Sequence, residues 1–172
     1  MLIENILSPR ECEKIVAEFD NTVQPKDEGY IYNNSFGVYN LPSTLRYKLR
    51  FEKIIQNTYP NIEFSNTYTR KYLNNSYLKP HIDRNTLDVS VSVCIENTAN
   101  LTWPLYISNV EWAGPWLMKS DYSEWTDNNT AYSYNAGSGV IYRGKKFMHW
   151  RENFPGTDNQ RMVYIYYHWK IL

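Results

Sequence analysis

The chain has 172 residues, room for about one domain with a substantial core. Its 18 lysines and arginines balance 18 aspartates and glutamates, so no overall field gathers a polyanion or an anionic membrane, and a histone-like or polybasic role is excluded. Hydrophobic residues at 42% and charged ones at 21% exclude a disordered or low-complexity polymer, while 16 Tyr and 6 Trp suit strands and half-wet clefts.

Met1 to Leu7 carries Glu4 and too short an apolar stretch for a signal peptide or membrane span. Two cysteines, Cys12 and Cys94, are few for a disulfide scaffold, and a cytoplasmic protein is expected. Ser8-Pro9-Arg10-Glu11 combines an N-cap serine, a first-turn proline and a capping-box glutamate, and Cys12, Ile15, Val16 and Phe19 follow at helical spacing. Residues 21 to 42 hold neither period and read as irregular, with at most a short strand at Tyr30 to Tyr32. A second helix is expected from Ser43 or Thr44 through Leu45, Leu49, Phe51, Ile54 and Ile55, ending before Pro60.

Beyond Pro60 the pattern is short β-type runs. Ile62 to Leu73 is followed by an expected turn at Asn74-Asn75-Ser76, and Leu87 to Ile95 alternates Val89, Val91, Val93 and Ile95 with Asp88, Ser90, Ser92 and Cys94. Further runs lie at Trp103 to Ile107, Thr130 to Tyr134, Gly139 to Arg143, Phe147 to Trp150 and Arg161 to Lys170, with residues 108 to 129 read as an insertion. Helices before residue 60 feeding a series of strands point to a mainly β sandwich, jelly roll or closed barrel with helices on one face. The organisation expected is a single domain over 1–172, with 1–60 as helical support and 61–172 as the barrel.

Of three histidines, His81 stands in Tyr77-Leu78-Lys79-Pro80-His81-Ile82-Asp83. On an extended chain residues two apart share a face, so His81 and Asp83 can meet at one ion. His149, on a late strand that a jelly roll brings alongside, would complete two imidazoles and one carboxylate with open positions remaining, the facial set of non-haem Fe(II) oxygenases. Arg161 opens an alternating strand on the face of Val163, Ile165 and Tyr167, where a charge needs an anion; one end of a dicarboxylate would serve. His168 falls on the opposite face and reads as structural.

The order His81-x-Asp83, His149, Arg161, together with Tyr72 nine residues before the first histidine and Tyr77-x-x-Pro80 just before it, resembles the Fe(II)/2-oxoglutarate-dependent dioxygenases of the prolyl-hydroxylase-like branch. The resemblance spans Tyr68 to Trp169. It implies a double-stranded β-helix, a metal held by His81, Asp83 and His149, and 2-oxoglutarate anchored by Arg161 with help from Tyr72; ascorbate is a further candidate cofactor. The family reaction couples O2 and oxidative decarboxylation of 2-oxoglutarate to succinate with hydroxylation of a C–H bond, here expected on an amino-acid side chain such as proline, in a peptide or free, or on a small molecule. Nucleic acid and membrane are not expected partners.

Two departures stand out. Arg161 follows His149 at a long interval enlarged by Pro155-Gly156-Thr157-Asp158, making Arg151 the competing anchor, and Leu101 to Tyr106 replaces the Gly-Gly-Glu-Thr of peptidyl prolyl hydroxylases. Two aromatic-rich segments, 28–42 and 108–129, could cover the metal mouth. A non-catalytic carbohydrate-binding jelly roll would leave the four-residue coincidence unexplained, and a cupin-like metal protein would call for a His-x-His pair and a later Glu that are missing.

Overall fold

The computed structural model describes residues 1–28, 31–112 and 123–172. After a short strand β1 (Leu2–Ile3), helix α1 (Pro9–Asp20) begins as its sequence dictates: Ser8 Oγ accepts from the Glu11 amide, and the Glu11 carboxylate accepts from the Ser8 amide at 2.8 Å. Cys12, Ile15 and Phe19 form its buried face. The segment expected to be irregular instead holds an eight-residue strand, β2 (Tyr32–Tyr39), paired with β3 (Ile62–His81). Its period was hidden because Asn34 takes a left-handed φ of 47° and the register shifts between Asn33 and Ser35.

The second helical region is split into α2 (Pro42–Leu45) and α3 (Lys48–Gln56). The Thr44 carbonyl accepts from the Tyr47 amide at 3.1 Å and the Tyr167 hydroxyl at 3.0 Å, a tighter turn tied to a distant strand that interrupts the ladder of a continuous helix. β3 itself runs twenty residues, straight through the expected Asn74-Asn75-Ser76 turn. Those residues make a bulge, with Asn75 at φ 59° and the side-chain amides of Asn33 and Asn34 donating to the carbonyls of Asn75 and Asn74 at 3.0 and 2.9 Å. Ser76 Oγ donates to the Asn34 carbonyl at 2.6 Å and accepts the Leu73 amide at 2.7 Å, so the freed polar groups are satisfied.

Beyond that bulge the strand changes its partner. The remaining elements are β4 (Val89–Asn97), β5 (Leu105–Glu111), α4 (Ser123–Thr126), β6 (Asn129–Tyr132), β7 (Gly139–Tyr142), β8 (Phe147–Arg151) and β9 (Met162–Ile171), joined antiparallel in the order β1-β7-β4-β9-β3-β8-β5-β6. The first stretch of β3 pairs with β9, and its end, at Leu78 and His81, pairs with β8. The result is the double-stranded β-helix expected, a nearly closed barrel. Of the insertion read at 108–129, the described flanks are the end of β5, α4 and the start of β6, while 113–122 lies outside the described residues, as do 29 and 30 of the segment 28–42.

Both faces of β4 and β9 are buried. Val89, Val91, Val93 and Ile95 with Val163, Ile165, Tyr167 and Trp169 pack against Ile15, Phe19, Phe51 and Ile55 of the helices. The alternate set, including Cys94, Met162, Tyr164 and Tyr166, turns into the barrel with Tyr72, Trp103 and Phe154. The interior is therefore the more polar face, and the helix-covered face is the aliphatic one. Among the described residues no helix is long and apolar enough to cross a membrane.

Candidate metal centre

His81 at the end of β3 and His149 on β8 are direct cross-strand partners, their ring centroids 4.2 Å apart. Each imidazole Nδ1 lies on the carbonyl two residues before it, Lys79 O at 2.9 Å and Phe147 O at 3.1 Å. A carbonyl only accepts, so both Nδ1 atoms carry protons and both Nε2 lone pairs are left for another centre. Asp83 is held just beyond the strand by its amide donating to Gly144 O at 2.9 Å, which places Oδ1 3.9 Å from His81 Nε2 and 3.6 Å from His149 Nε2. One ligand atom from each residue lies within 4.8 Å of the other two.

Protonation states suit a cation. Burial pushes His81 down to about 3 and so keeps it neutral, and the adjacent His149 ring adds to the shift. Burial would raise Asp83, but the imidazoles that surround it, His149 foremost, favour its ionised form and hold the carboxyl far below the usual carboxylate range. A neutral His81 imidazole and an ionised Asp83 carboxylate are the forms that bind metal.

The second carboxylate oxygen, Oδ2, accepts from Ser90 Oγ at 2.6 Å, and Ser90 Oγ lies 3.1 Å from His168 Nδ1. Gly144 closes the other side: a Cβ there would fall inside van der Waals contact of Asp83 Oδ2 and 2.7 Å from Ser90 Oγ. Gly144→Ala is expected to swing the Asp83 carboxylate away and to weaken metal binding by about 10- to 100-fold, while shifting the unfolding midpoint little. Calorimetric titration with Fe(II) or Co(II), beside a melting curve, checks this.

The three groups sit at a cavity of about 580 Å³ whose walls include Tyr32, Tyr39, Tyr68, Arg70, Trp112 and Tyr142. Both segments considered as covers thus contribute described residues to the wall, Tyr32 and Tyr39 from one and Trp112 from the other. Arg70 Nε donates to Asp27 Oδ2 at 2.8 Å, and its guanidinium lies 4.1 Å from the Tyr32 ring. Asp27 also accepts from Ser35 Oγ at 2.7 Å and from the Tyr68 hydroxyl, which fastens the stretch after α1 to the cavity wall.

Arg161 is not in this cavity. It shares a face with Val163, Ile165 and Tyr167 as its parity requires, but that face is the one under the helices, and its guanidinium reaches Asp20 at 2.7 and 2.8 Å and also Glu96. The charge expected to need a dicarboxylate already has two carboxylates of its own. Arg151, two residues beyond His149, is also outside the cavity lining but is 1% exposed, donating to Trp103 O at 2.8 Å and Tyr134 Oη at 2.7 Å, with its Nε buried and without a hydrogen-bond partner. Among the described residues no carboxylate lies within ion-pair distance of it. Tyr72 is fully buried, sharing a 2.7 Å hydrogen bond with the Tyr166 hydroxyl and accepting from Arg70 Nη1 at 3.3 Å.

Sequence reasoning did not single out Ser90, Arg70 and Gly144, and it reads His168 as structural. Ser90 and His168 carried one signal, their place on the polar parity of two alternating strands, which turned out to be the interior. Arg70 and Gly144 carried none, since nothing local marks a cavity wall or a close approach.

No protein-family model matches the chain. A stretch of 63 residues, 36% of the chain, is 38% identical to the ATP synthase gamma chain of Fusobacterium nucleatum subsp. nucleatum and covers 22% of that protein's length. Solved structures match over nearly the whole chain. HygX from Streptomyces hygroscopicus, with nickel and 2-oxoglutarate bound, superposes with a TM-score of 0.72 at 13% identity, covering 98% of this chain and 82% of that one. The non-heme alpha ketoglutarate dependent epimerase SnoN from nogalamycin biosynthesis gives 0.74 at 10% identity, over 98% and 76% of the two chains. The viral collagen prolyl hydroxylase vCPH from Paramecium Bursaria Chlorella virus-1, in its 2-oxoglutarate complex, gives 0.64 at 10% identity, over 100% and 95%. The fold is that of the Fe(II)/2-oxoglutarate oxygenases.

Proposed function

We propose that the chain is an Fe(II)- and 2-oxoglutarate-dependent oxygenase that hydroxylates a C–H bond, with His81, Asp83 and His149 as metal ligands and Arg151 as the anchor of the cosubstrate. The observation that carries this reading is the convergence of two imidazole Nε2 atoms and Asp83 Oδ1 at a cavity in this fold. Two neutral nitrogens and one carboxylate oxygen fit Fe(II) and leave positions open for a chelating cosubstrate and O2. Bound there, Fe(II) would supply the redox chemistry with O2 by which 2-oxoglutarate becomes succinate and CO2 and the second oxygen atom enters the substrate C–H bond.

The chain's own groups do the rest. Lys79 O and Phe147 O orient the two imidazoles, and Ser90 holds the idle oxygen of Asp83. Arg151 lies on the His149 side of β8, about 7 Å further along the strand, a separation that a five-carbon dicarboxylate chelated at one end would bridge. Its buried, unneutralised charge favours a carboxylate there over water. Tyr32, Tyr39, Tyr68, Trp112 and Tyr142 line the cavity around the reacting centre.

The cavity is sized for one side chain or a compact small molecule beside the cosubstrate. The like-folded proteins range from a collagen prolyl hydroxylase to HygX, which has also been solved with hygromycin B bound. An amino-acid side chain, proline in a peptide or free, is the substrate class we put first, because Pro80-His81-x-Asp83 resembles the prolyl-hydroxylase-like branch and tyrosine and tryptophan rings suit a pyrrolidine face.

Anaerobic addition of Fe(II) and then 2-oxoglutarate is expected to produce a visible charge-transfer band, and His81→Ala and His149→Ala are expected to abolish it and to lose iron affinity. Wild-type affinity in either variant overturns the ligand assignment. Succinate release above the uncoupled background, measured across proline peptides, free amino acids and small metabolites, then identifies the substrate class.

A further inference from the structure

We propose that His168, acting through Ser90, is a positioning residue that fixes the orientation of the Asp83 carboxylate toward the metal. The inference deepens the metal-site reading and rests on it. Ser90 and His168 are cross-strand partners on β4 and β9, both on the interior face; Ser90 is fully buried, and the His168 ring lines the cavity. The Ser90 hydroxyl has a single proton. An ionised carboxylate accepts only, so at 2.6 Å that proton belongs to Asp83 Oδ2. The 3.1 Å contact between Ser90 Oγ and His168 Nδ1 must then run the other way, with the imidazole donating. One directed chain results, from His168 Nδ1–H to Ser90 Oγ–H to Asp83 Oδ2, and each donor strengthens the next.

The chain's consequence lies at the other oxygen. With Oδ2 taken by Ser90 and walled by Gly144, the carboxylate cannot rotate about its Cβ–Cγ bond without losing its hydrogen bond or meeting the backbone, and Oδ1 alone points at His81 Nε2 and His149 Nε2. A histidine is suited to the outer place because its Nδ1–H sits close to its own backbone on β9, directly across from Ser90. An asparagine would put an N–H donor at nearly the same point, whereas a glutamine would carry its amide one carbon too far.

The test is metal titration of the purified protein, with Co(II) as probe and its d–d spectrum as a second readout, on Ser90→Ala, His168→Gln, His168→Asn and the pair Ser90→Ala/His168→Gln. Ser90→Ala removes one oxygen and little volume, so it reports even where a His168 variant folds poorly. Expected are a 10- to 100-fold weaker Co(II) affinity for Ser90→Ala and His168→Gln, an altered ligand-field spectrum, and recovery to within about threefold of wild type in His168→Asn. The pair should bind no worse than Ser90→Ala alone, since His168 acts only through Ser90. Unchanged affinity and spectrum in Ser90→Ala and His168→Gln, with loss in His81→Ala and His149→Ala, overturns the positioning role and leaves the metal site standing. Unchanged affinity in His81→Ala and His149→Ala overturns both.

Discussion

Replacing Arg151 by leucine is expected to weaken 2-oxoglutarate binding by about 30-fold or more while leaving Fe(II) affinity near wild type, the cost of about 2 to 5 kcal/mol that follows from removing one member of a buried charge pair. Stability should change little. Without ligand, Arg151 is a fully buried cation facing a carbonyl, a phenol and three aromatic rings, with no ion-paired carboxylate among the described residues. An apolar side chain of smaller volume relieves that charge, so the ligand-free Leu variant should melt no more than a few degrees below wild type. Arg161→Leu makes the contrasting control: it breaks the contacts to Asp20 and Glu96, costs on the order of 1 kcal/mol of stability, and leaves the cosubstrate alone. The charge-transfer band, titrated with 2-oxoglutarate under nitrogen, measures the affinity. An unaltered midpoint in Arg151→Leu with a shifted one in Arg161→Leu reverses the assignment.

The second large effect concerns the pair at the cavity wall. Asp27→Ala leaves Arg70, whose side chain is 9% exposed, charged and buried without its carboxylate, and strips an acceptor from Tyr68 and Ser35 as well. The expected loss is about 3 to 5 kcal/mol, a fifth or more of the stability of an ordinary domain. Adding Arg70→Met to Asp27→Ala should return most of it, because the desolvated charge goes with its partner. Urea unfolding of the two single variants and the pair measures both terms. A loss below 1 kcal/mol for Asp27→Ala would mean that the guanidinium finds solvent instead.

Much of the chain could be read locally. The α1 start, with Ser8, Pro9 and Glu11, is decided within four residues and appears as read. The alternation in β4 and β9 assigns each residue to one of two faces correctly, and donor chemistry and spacing alone single out His81, Asp83 and His149. Three elements were read wrongly for one shared reason. The bulge at Asn74 to Ser76, the strand at Tyr32 to Tyr39 and the break after Leu45 each depend on a partner far along the chain: Asn33 and Asn34 in the first, β3 in the second, the Tyr167 hydroxyl in the third.

The anchor shows the division most clearly. Period-two alternation determines which side chains share a face, and it put Arg161 with Val163, Ile165 and Tyr167 and set His168 opposite them. It does not determine which face looks inward when helices cover one side and a barrel closes on the other. That choice was made by α1 and α3, whose apolar stripes take the aliphatic face, leave the polar parity for the interior, and so bring His168, Ser90 and Arg70 toward the metal ligands and send Arg161 out to Asp20. By itself the sequence determined the helix start, the strands' two faces and the three donors. Tertiary structure decided which face became the inside, because burial on both sides removes the contrast with water from which a sequence reveals its interior.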